Sequence, residues 1–197
     1  MRRDLGKNID KKILNAVLQE AMRYGIGDVS TKEISVSLGI SEPVIFSHFG
    51  DKKNLMNSAM VFAMDYFSHP ENLPMEIFKK PVDDSSRHEI FLKFQPLIKK
   101  KKELSYISQY VSSGFYDHKV VADVLSEDRE AAKKIIFSIA EIDPSLKLDY
   151  IIDLFLGDCF IITANIANKV YKNNEENIAR LCNFLVGGIK AAVIFAK

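Results

Sequence analysis

The sequence predicts an all-α protein of about nine helices. Apolar residues recur at helical spacing in almost every segment, and no segment alternates cleanly as a half-buried strand does. The breaks between segments fall on glycine, proline and asparagine. Ile9, Ile13, Ala16, Val17, Ala21 and Tyr24 form one face of a first helix, with Asn8 or Asp10 as its expected cap and Gly25 and Gly27 as its stop. Ser30-Thr31-Lys32-Glu33 opens the second as a capping box, Ser30 toward the Glu33 N–H and Glu33 reaching back. That helix buries Ile34 and Leu38 and ends at Gly39. Ser41 is the expected cap of a short third helix to about Phe49, and after Gly50-Asp51 a longer fourth begins at Lys52.

Segment 69–85 holds Pro70, Pro74 and Pro81 and reads as an irregular connection. Ser86 to Glu89 is a second possible capping box, and Pro96 is expected to kink or end the helix it opens. Lys99 to Lys102 reads as a solvated helix end complementing the macrodipole. Leu104, Ile107, Tyr110 and Val111 mark the next helix, broken at Ser112-Ser113-Gly114. Helices near 119–141, 146–171 and 175–196 follow, separated by Asp143-Pro144 and Asn173-Asn174.

Composition narrows the function classes. The chain of 197 residues is 47% hydrophobic and 27% charged, ordinary for a folded protein. Its net charge of +1 gives no global signature for nucleic acid or membrane. The N-terminus lacks a signal-peptide apolar stretch, and the longest apolar run, 151–167, carries Asp153 and Asp158, which a bilayer centre would penalise. A cytoplasmic location is expected. Cys159 and Cys182 read as two buried thiols in a reducing compartment. His48, His69, His88 and His118 show no metal spacing, and neither a phosphate loop nor a nucleophile elbow occurs, so no enzyme, metal or cofactor is expected.

Residues 30–49 make two short helices about a turn at Gly39, where positive φ is favoured. With Ile34, Leu38, Ile40, Ile45 and Phe49 packed inward, Glu42, Val44, Ser47 and His48 lie on faces that could be exposed. Such a pair is either a structural corner or a DNA-reading helix-turn-helix, whose second helix enters the major groove.

The details of this stretch favour the second. Ser30-x-x-x-Ile34, then Leu38-Gly39-Ile40-Ser41-Glu42-Pro43-Val44-Ile45-Phe46-Ser47-His48-Phe49, then Lys52-x-x-Leu55, closely resembles the tetracycline-repressor (TetR/AcrR) family over roughly residues 8–56. The resemblance implies a homodimeric transcriptional regulator. It would bind a near-palindromic operator and, as a repressor, release it when a small molecule occupies the C-terminal region. It divides the chain into a helix-turn-helix domain, 1–51, and an effector-binding and dimerisation domain, 52–197. Thr31 and Lys32 match positions near phosphates and a base edge. Ser41, Glu42, Pro43 and Val44 match the opening of the recognition helix, where Val44 could meet a thymine methyl and Glu42 a cytosine amine. Phe46, Ser47 and His48 match groove or phosphate positions, and Lys52 a phosphate-holding lysine. There are two departures: Phe46 lacks the hydroxyl of the frequent tyrosine, and Pro43 lacks the N–H of the frequent glycine, though proline suits a first helical turn. Residues 1–56 carry nine Lys/Arg against seven Asp/Glu. Arg2, Arg3 and Lys7 form a leading arm that is either a frayed terminus or a groove contact.

Toward the C-terminus, Phe184, Leu185, Ile189, Ala192, Val193 and Ala196 cover more than one helix face beside Gly187 and Gly188, as burial on two sides requires. A second protomer would supply one side, with Phe184, Leu185, Gly188, Ile189 and Ala192 as the dimer interface. The resemblance implies the same for the last two helices. Candidates for effector binding are Met60, Met64, Phe67, Tyr106, Gln109, Tyr110, Phe137, Asp158 and Asn165. Asp158 could meet a ligand, pair across a dimer or face water. Thirteen Phe and seven Tyr would suit an apolar effector. Other readings are a metal- or thiol-responsive DNA-binding sensor through Cys159 and Cys182, and a helical enzyme or interaction module without DNA binding.

Overall fold

The computed structural model describes residues 2–67, 82–140 and 149–195, and among them every regular element is helical. In chain order these are α1 (Arg2–Tyr24), α2 (Thr31–Leu38), α3 (Glu42–Phe49), α4 (Lys52–Met64), α5 (Arg87–Ile98), α6 (Lys101–Tyr110), α7 (His118–Val124), α8 (Ser126–Ala140), α9 (Asp149–Ala167) and α10 (Glu175–Phe195), with a 3-10 turn at Ile26–Asp28. The expected class stands, with ten α-helices among the described residues where about nine were expected. The proline-bearing part of the 69–85 connection, and Asp143-Pro144, lie outside the described residues. None of the described helices is long and apolar enough to cross a membrane.

Several boundaries differ from expectation for identifiable reasons. Helix α1 starts at Arg2, so neither Asn8 nor Asp10 caps it, and the basic arm forms its first turns. The single helix expected over 119–141 is two. The Asp117 carboxylate accepts from the backbone N–H groups of Lys119 and Val120 at 3.1 and 3.4 Å and starts α7. Ser126-Glu127-Asp128, favourable for a helix N-terminus, then starts α8. Ser86 is the N-cap of α5 but makes no capping bond along that helix; its hydroxyl and N–H instead turn back to Asp83. Pro96 lies inside α5, which ends two residues later at Ile98. Only half of the lysine run is a helix end: Lys99 caps α5, whereas Lys101 and Lys102 open α6, and Lys102 Nζ donates to Asn15 Oδ1 at 2.5 Å.

Packing gathers these helices into two compact units, Met1–Asp65 with Lys102–Val124, and Tyr66–Lys101 with Leu125–Lys197. In the first, Ile13, Val17, Leu18 and Ala21 of α1 are buried with Ile34, Ile45, Leu55 and Met56. Helix α1 lies against α2 and α4, and α3 against α2 and α4. In the second, α10 packs on α5, α8 and α9, burying Phe94, Ile136, Ile166, Ile178, Cys182 and Leu185. There Asn183 pairs with the backbone of Val82, accepting its N–H at 2.6 Å and donating to its carbonyl at 3.0 Å.

Helix α6 braces the first unit through side chains. Tyr106 Oη donates to the Met56 carbonyl at 2.9 Å, and Tyr110 Oη to Asn57 Oδ1 at 2.7 Å. Burial raises the Tyr106 phenol far above its ordinary value, with Tyr110 adding to the effect, so it stays a neutral donor. Gln109 Oε1 accepts the Ile26 N–H at 2.8 Å while its Nε2 donates to the Ala21 carbonyl at 3.1 Å. One carboxamide thereby closes both the end of α1 and the turn that follows, beside Gly25 at φ +96°. Replacing Gln109 with Leu orphans the Ile26 N–H, and a loss of about 1–2 kcal/mol is expected in urea unfolding. An unchanged midpoint and slope would show that the carboxamide contributes nothing.

Candidate nucleic-acid interface

Two short helices, α2 and α3, form a compact unit with α1. Ser30 Oγ accepts the Glu33 N–H at 3.2 Å, supplying the expected cap of α2. At the other end Gly39 adopts φ 65°, ψ 32°, and the Ile40 N–H reaches back to the Ser35 carbonyl at 3.0 Å. This left-handed ending satisfies the last carbonyls and reverses the chain within three residues. Helix α3 then begins with Pro43 in its first turn, where a missing N–H costs nothing. Ser41 occupies the N-cap position but, contrary to expectation, makes no side-chain cap; its carbonyl accepts from Val44 instead. Ile34 and Ile45 are fully buried and fix the two helices together.

Around this core, Lys32, Ser41, Pro43, Ser47 and His48 are exposed, and Thr31, Glu42, Val44, Phe46 and Lys52 are half-exposed. All ten residues matched to DNA-contact positions are therefore reachable from outside to some degree. Five have partners that shape what they can do. The Thr31 hydroxyl donates to Glu42 Oε1, tying the start of α2 to the start of α3. That bond engages one oxygen of the carboxylate assigned to a cytosine amine and leaves Oε2 as the other acceptor. Ser47 Oγ donates to the Val44 carbonyl at 2.7 Å, so toward a groove it offers lone pairs. His48 Nδ1 lies 2.6 Å from Asp10 Oδ1, a partner that the sequence pattern did not signal. Lys52 Nζ stands 5.8 Å from the centroid of the Phe115 ring, within cation–π range. It opens α4, whose N-cap Asp51 accepts the Asn54 N–H at 2.7 Å.

The effector candidates are divided between the units. Met60, Met64, Tyr106, Gln109 and Tyr110 belong to the first, where all but Gln109 are buried in its core and the three last-named are hydrogen-bonded as described. Phe67, Phe137, Asp158 and Asn165 belong to the second. Phe67 is buried edge-on to Phe160 at 5.5 Å, Phe137 and Asn165 are half-buried, and Asp158 is exposed. A narrow crevice in that unit is lined instead by Phe94, Cys159, Ile162, Ile166, Ile178, Leu181, Cys182 and Leu185. Of the dimer candidates, Phe184 is 71% exposed and Gly188 is open, whereas Leu185 turns inward. Ile189 and Ala192 lie on α10, and their side chains fall outside the described set.

Both cysteines are free and border the same crevice. Burial pushes the Cys182 thiol up to about 12, and burial, followed by the nearby Cys182 and Asp158, pushes Cys159 higher still. Thiolate is the form that binds metal or attacks an oxidant, so near neutral pH this pair is chemically quiet. Among the described residues, no three ligating side chains gather as a metal site would need.

A small buried core, a left-handed turn and an outward second helix define a helix-turn-helix unit. Residues 13–59 of the chain match the model of the tetR family of bacterial regulatory proteins. The solved structures that resemble the chain include a TetR family transcription regulator from Marinobacter aquaeolei, 16% identical, with a TM-score of 0.64, covering 95% of this chain and 97% of that one. A TetR-family transcriptional regulator from Mesorhizobium loti is 11% identical with a TM-score of 0.60 and the same coverage. A TetR-like transcriptional regulator from Rhodococcus is 16% identical with a TM-score of 0.57, covering 90% of this chain and 92% of that one. At these identities the likeness is one of fold. No curated protein sequence matches the chain.

Two outcomes are expected. Thr31→Val, which keeps the shape and removes the donor, should lower stability by about 0.5–1.5 kcal/mol in thermal or urea unfolding; no change would mean that the Thr31–Glu42 bond does not hold α2 to α3. Iodoacetamide at pH 7.5 should label neither thiol in the native protein and both after denaturation. Because the folded Cys182 thiol ionises at a higher pH than an unfolded thiol, its contribution to stability is complete below about pH 8.5 and falls as the pH rises toward 12. Rapid native labelling would contradict this.

Proposed function

We propose that this chain is a homodimeric, sequence-specific transcriptional repressor that holds a near-palindromic operator and releases it when a small molecule binds. The observation that carries the reading is the α2–Gly39–α3 unit, fixed by Ile34 and Ile45, with Lys32, Ser41, Pro43, Ser47 and His48 exposed around α3. In this reading residues 1–51 read DNA and residues 52–197 bind effector and partner protomer, in the cytoplasm. Val44 and Ser47 meet base edges from the major groove, while Thr31, Lys32 and Lys52 hold the backbone. Two-fold symmetry sets two recognition helices on half-sites about 34–36 Å apart. Exposed Phe184, with the open backbone at Gly187 and Gly188, supports α10 as the dimer surface, and Ile189 and Ala192 extend along the same helix. An exposed phenyl ring beside two glycines lets a second helix approach closely and bury it. The quiet thiols do not favour a redox- or metal-responsive variant of the reading.

A mobility-shift assay on the DNA upstream of the chain's own coding region tests it. Binding is expected to be sequence-specific and to weaken steeply with salt, because phosphate contacts release counterions. Lys52→Ala should weaken binding to all sequences alike, and Val44→Ala should relax preference at one base pair. Equal loss from both on every sequence would refute this division of roles. Compounds that stabilise the protein in a thermal-shift screen should also reduce operator binding; stabilisation without release would argue against effector control.

A further inference from the structure

We infer that Asp10 is a positioning residue for DNA recognition, holding the His48 imidazole by Nδ1 so that Nε2 is the nitrogen left for the nucleic acid. The inference rests on the proposed DNA-binding role of α3 and deepens it. Asp10 lies in the middle of α1 and His48 in the last turn of α3, 38 residues apart, with Nδ1 and Oδ1 at 2.6 Å. An ionised carboxylate has no proton to donate, so the hydrogen on this bond belongs to Nδ1. The tautomer and the plane of the ring are therefore set from α1, as a carboxylate does for a metal-bound or catalytic histidine. Neutral His48 then offers DNA an acceptor at Nε2, suited to the exocyclic amine of adenine or cytosine; charged His48 offers a donor there, suited to a phosphate. In both states Nδ1 stays with the protein. The arrangement also explains an acidic residue near a surface meant for DNA. As a bare charge Asp10 would repel phosphate, whereas bound to His48 it fixes the geometry of a contact.

The sign of the charge effect makes the test sharp. Removing a carboxylate near DNA should by itself strengthen binding; removing a positioning residue should weaken it. Asp10→Ala is expected to bind DNA from the upstream region roughly tenfold more weakly, near the lower end of what a hydrogen bond to a charged group contributes. His48→Ala should weaken binding to a similar extent, and the double variant no further than His48→Ala alone. Asp10→Asn can still accept from Nδ1–H and should retain most of the wild-type affinity. Independently of DNA, the two-bond 1H–15N correlations of neutral His48 should report the Nδ1–H tautomer in the wild type and lose that bias in Asp10→Ala. Undiminished or tighter operator binding by Asp10→Ala overturns the inference alone, as does an Nε2–H tautomer in the wild type. If the wild type shows no sequence-specific binding, the regulatory reading and this inference fall together.

Discussion

Helices α2 and α3 are eight residues each, too short to persist in water on their own. Their existence depends on burying Ile34 and Ile45 in the core that also holds Ile13, Val17, Leu18 and Ala21 of α1 and Leu55 of α4, with α2 packed on α1 and α3, and α3 on α4. At about 25 cal/mol per Å² of apolar surface, each such side chain contributes roughly 1.5–3 kcal/mol, which offsets much of the nucleation cost of about 4 kcal/mol for a helix. Everything outward depends on this inward packing. The turn at Gly39 has a fixed direction only because both helices it joins are anchored, and the exposed side chains of α3 share one rigid backbone for the same reason.

Polar side chains complete what the apolar core begins. Gln109 closes α1 onto the following turn, Tyr106 and Tyr110 fasten α6 to α4, and Thr31 links α2 to α3. Such bonds are directional where hydrophobic burial is not. They hold the helices at one set of angles and match buried donors to acceptors in the interior. Gln109, whose setting among aromatic residues in the sequence suggests a ligand contact, has both ends of its carboxamide occupied by backbone groups.

Local chemistry was legible in the sequence, and long-range partnership was not. Ser30 as a cap, the reversal at Gly39, the start of α4 at Lys52 and the inward set Ile34 and Ile45 follow from propensity and period, which act within a few residues. The missed features are of two kinds. Ser41 and Ser86 carry a capping residue type that the backbone does not use, because a carbonyl in one case and Asp83 in the other provides the alternative. Asp10, Gln109 and Asn183 act on groups 38, 83 and 101 residues away, and no helical period encodes such distances. For the same reason helical spacing marked α10 as apolar on several faces, yet could not tell inward Leu185 from outward Phe184.

The first compact unit is not one stretch of chain. It needs Met1–Asp65 and then Lys102–Val124, with thirty-six residues of the other unit between them. A growing polypeptide that ends after α4 already holds every side chain matched to DNA, but it lacks Tyr106, Gln109 and Tyr110, which brace that region. During synthesis this unit must therefore wait for α6 before its contacts are complete. Cutting the gene at the end of the helix-turn-helix separates a function on paper, while the folding unit runs on past it and returns.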